Sequence, residues 1–259
     1  MGGFGLDSYT LKGKDKLYLI PHSDAHVGSE QYNEEYREYW RDTIKRITKN
    51  PTRGYLNGDM CESATKRLAN SSYRQQMNIN DQIDYTINFL DWFKDWKCCT
   101  MGNHEIRLEK EFDIDINRII AKSLNCTPCY QYYDQFMVND KPFTVYVAHG
   151  KGSSMHHYTA ESKVIRDTRG IEADIVINGH NHRCGHFSIP LVDPTNQIGL
   201  KRKHYVFSGG FVSYHNSYAD AMQLPPLPES FCYLTIDKNL RVESNIFHID
   251  ERCPELLKV

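Results

Sequence analysis

Four short segments carry side chains able to hold divalent cations. They are Ser23-Asp24-Ala25-His26, Gly58-Asp59, Gly102-Asn103-His104-Glu105 and Gly179-His180-Asn181-His182, with a lone His149-Gly150 between the last two. Together they offer Asp24, His26, Asp59, Asn103, His149, His180 and His182 as oxygen and nitrogen donors. Carboxylate, amide and imidazole donors with no thiolate among them suit two adjacent divalent ions. Two such ions side by side are a device for hydrolysing phosphate esters. Singly, each segment says little, because D-x-H and H-x-H triplets arise often by chance. Jointly they say more, because each follows a short apolar run, at 17–20, 55–56, 98–101, 145–148 and 175–177. Open α/β sheets bind ligands at the carboxyl ends of their strands. Asp59 is the best candidate to bridge the ions, since a carboxylate can give one oxygen to each of two cations and offset their repulsion.

The pattern of the chain supplies elements to position these donors. Residues 16–20 read as a buried strand that opens into the Asp24 loop. From residue 29 to 49, Tyr32, Tyr36, Tyr39, Trp40, Ile44 and Ile47 recur at helical steps, and Asn50-Pro51 stops the run. A second strand at 54–57 leads to Gly58-Asp59, and a helix over 80–96 shows Ile83, Ile87, Leu90 and either Phe93 or Trp92 on one face. A third strand at 97–101 precedes the Asn103 loop, followed by a helix with Phe112, Ile116, Ile119, Ile120 and Leu124 as its stripe. This β-α-β-α-β order implies a parallel sheet with right-handed crossovers. Beyond Pro128 strands dominate: 143–147 before His149, 174–177 before His180, then 204–207, 231–236 and 240–249, with a helix expected over 154–170. The spacing within Asp24-x-His26 and His180-x-His182 is expected to send each pair the same way from an extended strand end. No linker or repeat divides the chain, so a single domain over 1–259 is expected.

Composition sets outer bounds. The 259 residues are 40% hydrophobic and 25% charged, ordinary for a soluble globular protein and long enough to bury a core. No apolar run approaches the roughly 20 residues of a membrane span. The first residues have neither the basic nor the apolar region of a signal peptide. A cytoplasmic protein, away from membranes, is therefore expected. A net charge of -2 shows no global basic surplus for nucleic acid. A local basic path could still be lined by the polar segment 63–80, the loop 150–158 and Lys201-Arg202-Lys203. The eight cysteines suit a reducing compartment. Cys126 and Cys129 have the spacing of half a zinc site or a redox pair, but no second C-x-x-C completes a site.

The ordered series D-x-H, G-D, G-N-H-E, H, G-H-x-H, from Asp24 to His182, resembles the calcineurin-like metallophosphoesterase superfamily. The resemblance implies a four-layer α/β/β/α sandwich of two mixed sheets flanked by helices, with a two-metal site at one edge. It implies that one ion takes Asp24, His26, Asp59 and His182 and the other Asp59, Asn103, His149 and His180, the ions being manganese, iron or zinc. It nominates His104 as the catalytic residue that serves the leaving oxygen, a task its ordinary pKa range suits. Glu105 could orient His104 or cap the following helix, and His22 is a candidate for support behind the ligands. Glu62 fits a frequent acidic position of the family. Cys184 stands where relatives often carry proline, which touches loop rigidity and leaves the donors intact.

The function expected is metal-dependent hydrolysis of phosphate esters, diesters first, by a hydroxide activated between two ions. Within the same fold, a nuclease acting on DNA or RNA and a phosphomonoesterase are the alternatives, so the partner is a phosphate ester, nucleic acid or nucleotide included. A scaffold that kept the fold and lost the chemistry would have lost donors, and here every expected donor is present.

Overall fold

A computed structural model describes residues 6–64, 75–151, 157–192, 200–214 and 227–249. The chain runs β1 (Ser8–Tyr9), β2 (Leu17–His22), α1 (Glu34–Ile47), β3 (Thr52–Asn57), α2 (Ile79–Leu90), β4 (Trp96–Thr100), α3 (Asn103–Phe112), α4 (Ile116–Ser123) and β5 (Thr127–Cys129). It continues through β6 (Gln131–Val138), β7 (Lys141–Ala148), α5 (His157–Asp167), β8 (Ile175–Asn178), β9 (Cys184–Val192), β10 (Leu200–Gly210), β11 (Ser230–Ile236) and β12 (Val242–His248).

Local chemistry explains where the helices begin and stop. Asn33 caps α1, its side-chain oxygen accepting the Tyr36 N–H at 3.0 Å. Glu34 and Glu35 sit in its first turn, and Lys45 and Arg46 in its last, each sign opposing the local end of the helix dipole. The helix expected over 80–96 is shorter: α2 ends at Leu90, whose carbonyl accepts the Trp96 indole N–H at 3.2 Å. The single helix expected after Asn103 is two. Asp113 adopts a left-handed backbone (φ 57°), and Asp115 caps α4 by accepting from the Arg118 N–H.

The strands form one curled, mixed sheet of twelve, in the order β1-β6-β7-β8-β10-β11-β2-β3-β4-β5, with β9 added beside β10 and β12 beside β11. β2, β3, β4 and β5 are parallel, as the β-α-β-α-β pattern requires, and so are β7, β8 and β10. The two parallel regions join through β10 and β11, which share only the pairs Gly209↔Phe231 and Gly210↔Ser230. That short seam is where the sheet bends.

Three apolar cores follow. One buries Leu17, Leu19, Tyr55 and Cys98 against Phe136, Val145, Ile175 and Val206, from strands on either side of the bend. A second sets Trp40, Ile44, Ile83, Leu90 and Ile120 of α1, α2 and α4 against Ile20, Leu56 and Cys99. A third sets Ala160 and Val164 of α5 against Tyr146, Val176, Tyr205 and Phe207. Inside the first core runs an ion pair that the sequence did not announce. Arg53 of β3 is buried, and its guanidinium donates to both carboxylate oxygens of Asp134 on β6, each at 2.6 Å. Tyr55 donates to the same carboxylate at 2.7 Å, and Asp7 accepts from Arg53 at 2.6 Å. Bidentate pairing with all acceptors used is the arrangement in which a buried charge is tolerated.

Among the described residues no helix is long and apolar enough to cross a membrane. The seven described cysteines are free, and none joins a metal-binding group among the described residues, Cys126 and Cys129 included.

Candidate metal centre

All seven donors lie just past strand ends. Asp24 and His26 follow β2, Asp59 follows β3, Asn103 follows β4, His149 follows β7, and His180 and His182 follow β8. Parallel strands that stop at one level deliver their following loops to one place, which is how residues far apart in sequence meet. The expected geometry of the paired donors is corrected, however. Asp24, His26, Asp59, His180 and His182 all have left-handed backbones, with φ between 48° and 70°. Their loops curl, so the shared direction of Asp24 with His26 does not come from strand alternation. Left-handed residues other than glycine are strained, though Asp, Asn and His tolerate the region best. Strain gathered in five of seven donors is the kind that persists where a site demands it.

The donors fall into two groups whose ligand atoms lie within 4.8 Å of one another: Asp24, His26 and His182, and Asp59, His149 and His180. Asn103 joins the second, its Oδ1 lying 2.7 Å from His180 Nδ1 and 3.3 Å from His149 Nε2. Asp59 Oδ2 stands between the groups, 3.1 Å from His149 Nε2 and 3.9 Å from His26 Nε2. The bridging geometry differs from one oxygen per cation. Asp59 Oδ1 accepts the His104 N–H at 2.9 Å, so Oδ2 alone faces both groups. Asp24 is built alike. Its Oδ2 accepts the His180 N–H at 3.0 Å, while its buried Oδ1 has no hydrogen-bond partner and lies 3.5 Å from His182 Nε2.

These atoms fit a cation on a proton count. The Asn57 carbonyl, 2.7 Å from His149 Nδ1, can only accept, so that nitrogen carries the hydrogen. His149 Nε2 then turns a lone pair toward two oxygen acceptors, Asp59 Oδ2 and Asn103 Oδ1. Such a cluster needs a positive charge at its centre, either a proton or a metal ion. Without metal, burial acts to lower the His149 pKa, but Asp59 and the Asn57 carbonyl outweigh it and hold it up at about 10. His26 behaves alike: burial is outweighed by Glu62, Asp59 and Asp24, giving about 9. His182 goes the other way, pushed by burial to about 4. A divalent ion would take the place of those protons.

Behind the donors, the loops are clamped. Glu105 is buried, and its carboxylate accepts N–H bonds from Gly102 and Asp59, both at 2.9 Å, and from Met60 at 2.8 Å. It therefore caps α3 and holds the Asp59 loop; its recorded partners are backbone N–H groups and not the His104 ring. Gly102 and Gly58 make the close approach possible. A Cβ at Gly102 would collide with Asp59, and one at Gly58, where φ is +78°, with the His149 ring. Glu62 lies 3.0 Å from His26 Nδ1 and 3.7 Å from His104 Nδ1, so it orients His26 as a carboxylate behind a ligating histidine does.

His104 is mostly buried beside His26, ring centroids 4.5 Å apart. Its Nδ1 donates to the Glu62 carbonyl at 2.5 Å, which leaves Nε2 with a lone pair in the neutral ring. Burial, then the His26 charge, lowers its pKa. Two expectations are corrected. His22 stacks on Trp40 and Phe211, with centroids at 4.3 and 4.7 Å and neither nitrogen partnered, so it belongs to the aromatic core. Lys203 is buried and donates to the carbonyls of Thr168 and Ile171, while Lys201 pairs with Asp174. The basic triplet begins β10, whose other end reaches the centre, on the order of 20 Å away at the usual rise per residue. Of the other segments thought to line a nucleic-acid path, 65–74 and 152–156 lie outside the described residues.

No protein-family model matches the chain, and no curated protein matches it. Among solved structures, it is similar to Vps29 from Entamoeba histolytica complexed with Zn2+, at 12% identity and a TM-score of 0.46, covering 90% of this chain and 99% of that one. It is also similar to a metallophosphoesterase from Sphaerobacter thermophilus, at 11% identity and a TM-score of 0.45, covering 92% and 91%. A predicted phosphoesterase from Streptococcus pneumoniae TIGR4 gives 10% identity and a TM-score of 0.41, covering 92% and 100%.

Proposed function

We propose that this chain is a calcineurin-like metallophosphoesterase that hydrolyses phosphate esters, diesters first, at a centre for two divalent ions. The observation that carries the reading is Asp59 Oδ2, held between two donor groups while its other oxygen is anchored by a backbone N–H. A single-ion site has no use for an acceptor so placed. Asp24, His26 and His182 would hold one ion, and Asn103, His149 and His180 the other, with Asp59 shared. The three apolar cores support reading the two arms of the curled sheet as the inner layers of an α/β/β/α arrangement.

Divalent ions held there supply a nucleophile near neutral pH and offset the phosphate charge. The residues of the chain do the rest. Two carboxylates and one neutral amide leave the centre electropositive once loaded, so an anionic ester is drawn in. The Glu62 carboxylate and the Asn57 carbonyl fix which ring nitrogens of His26 and His149 are free to ligate. His104, anchored through Nδ1, presents Nε2. In its neutral form that nitrogen accepts a proton, and it can pass one to a leaving oxygen only after gaining it.

The test is hydrolysis of a nitrophenyl diester and the matching monoester by metal-stripped protein, before and after manganese, iron or zinc is restored. Restored turnover, faster on the diester, is expected. Two bound ions with no turnover on either ester would point to a scaffold and sink the enzymatic reading.

A further inference from the structure

A cavity of about 970 Å³ opens from the Asn103, His149 and His180 side of the centre. Its size falls in the range of small-molecule pockets, about 300–1,000 Å³. Its floor is apolar and aromatic: Tyr146, Phe207, Ala160 and Val164 all belong to the third core. At its margin stands Tyr130, with 62% of its surface exposed. An exposed aromatic ring is usually free to swing, but this one is tethered. Its hydroxyl donates to Glu109 of α3 at 3.1 Å, and its backbone is pinned between β5 and β6. A flat ring held at both ends with an open face is a stacking platform whose ordering is already met.

The polar groups around the cavity offer both donors and acceptors: the Asn178 NH2 donates to the Ala148 carbonyl at 3.1 Å, which leaves its oxygen to accept. Gln131 Oε1 already accepts the Tyr146 hydroxyl at 2.8 Å, and Asn181 Oδ1 accepts the Arg183 N–H at 3.2 Å. Each of these oxygens holds one hydrogen bond inside the protein and keeps a second lone pair, and each NH2 group can donate to a ligand. Lys151 adds an exposed ammonium, whereas Lys163 is paired with Asp167. Flat apolar faces, a carboxamide edge that both donates and accepts, and an adjoining phosphate centre together describe a planar heteroaromatic ligand that carries acceptors and donors. A lipid tail would leave the donors unused, and a bare sugar would leave the aromatic floor largely unused.

We propose that this cavity receives the organic part of the ester, and that its preferred occupant is a nucleobase. The proposal rests on the phosphoesterase reading above for the placement of the phosphate. The base stacks on Tyr130, its acceptor edge meets Gln131 and Asn181, and its phosphate lies at Asn103, His149 and His180.

The test separates binding from turnover. Calorimetry on metal-free protein compares adenosine and uridine with ribose. The nucleosides are expected to bind at least ten-fold more tightly, and Tyr130→Ala to remove roughly ten-fold of that affinity, the usual effect of losing one stacking ring. Tyr130→Phe keeps the ring and should retain most of it. With metal restored, the nitrophenyl ester of thymidine 5′-phosphate is compared with methyl nitrophenyl phosphate, which shares its leaving group and lacks the nucleoside. The nucleoside ester should show the lower KM, and Tyr130→Ala should erase most of that difference. Nucleosides that bind no better than ribose, or equal losses on the two esters in Tyr130→Ala, overturn the proposal. Nucleoside binding without hydrolysis of either ester overturns the phosphoesterase reading and leaves the pocket standing. Hydrolysis of both esters without discrimination does the reverse. A short single-stranded oligonucleotide carrying the same nitrophenyl ester decides the source of the base: a lower KM than the mononucleotide ester assigns a strand end, and an equal or higher one a mononucleotide.

Discussion

The two halves of the centre are built differently. Around Asp24, His26 and His182 the donors are braced from behind by a second carboxylate, Glu62, and the rings of His26, His104 and His182 crowd one another. Around Asn103, His149 and His180 the brace is neutral, a backbone carbonyl, and the donors open onto the large cavity. An anionic brace makes an imidazole a stronger ligand, and a neutral amide in the ligand set makes its half a weaker trap. On the proposed two-ion reading, the first half would retain an ion and the second would hold one that must also admit an ester. Among the described residues, Asp59 Oδ2 is the donor that faces both halves.

The largest expected effect follows from that shared atom. Asp59→Ala should empty both halves together and remove activity by about 10³-fold or more, as loss of charge stabilisation and of the activated nucleophile would. Metal analysis beside kinetics checks it, and two ions retained would sink the shared role. Next comes His104→Ala, which should keep both ions and lose on the order of 10²-fold on an ester with a poor leaving group. The loss should shrink for nitrophenolate, which departs unaided. Equal losses on the two would reduce His104 to positioning the phosphate.

Smaller still, Glu62→Gln should weaken the first half alone by roughly 10- to 100-fold in metal affinity, the usual effect of losing a carboxylate behind a ligating histidine. Asn103→Ala should weaken only the second half. Metal titrations that show both variants affecting the same ion would erase the difference between the halves.

The mildest test is pH. In metal-free protein His26 and His149 titrate near 9 and 10, above the ordinary 6.5. A raised pKa stabilises the fold fully below the unfolded value, and that contribution is lost as pH rises through the folded one. Metal-free protein should therefore melt at lower temperature at pH 10 than at pH 7. Metal affinity should rise over the same interval, because the same protons compete with the ions. Parallel melting curves with and without manganese decide it; a metal-free melting temperature flat across that interval would show that the two imidazoles share no trapped protons.

Much of the fold was legible because local rules agreed with it. The stripe from Tyr36 to Ile44 named α1, and apolar runs ahead of each donor named β2, β3, β4, β7 and β8. Short or two-sided strands were not: β5 has only three residues, and Asp134 interrupts the apolar alternation of β6, so neither stands out as an element of its own. Asp134 looks like a surface residue in sequence, and only β3 laid against it reveals the buried pair with Arg53.

By itself the sequence determined the donor types, their order and their position after strands, since a strand end is a local pattern and a ligand is a residue type. It also pointed to the acceptor-rich chemistry of the centre. The tertiary structure decided what depends on distance between remote segments: that one oxygen of Asp59 faces both groups, that Glu105 clamps the Asp59 loop instead of turning to His104, and that Lys203 is buried far from the centre. It also set Tyr130, Tyr146 and Phe207, from three separate strands and turns, around one cavity. No local pattern carries such information, because it arises only when the bend at β10 and β11 brings the two arms of the sheet together.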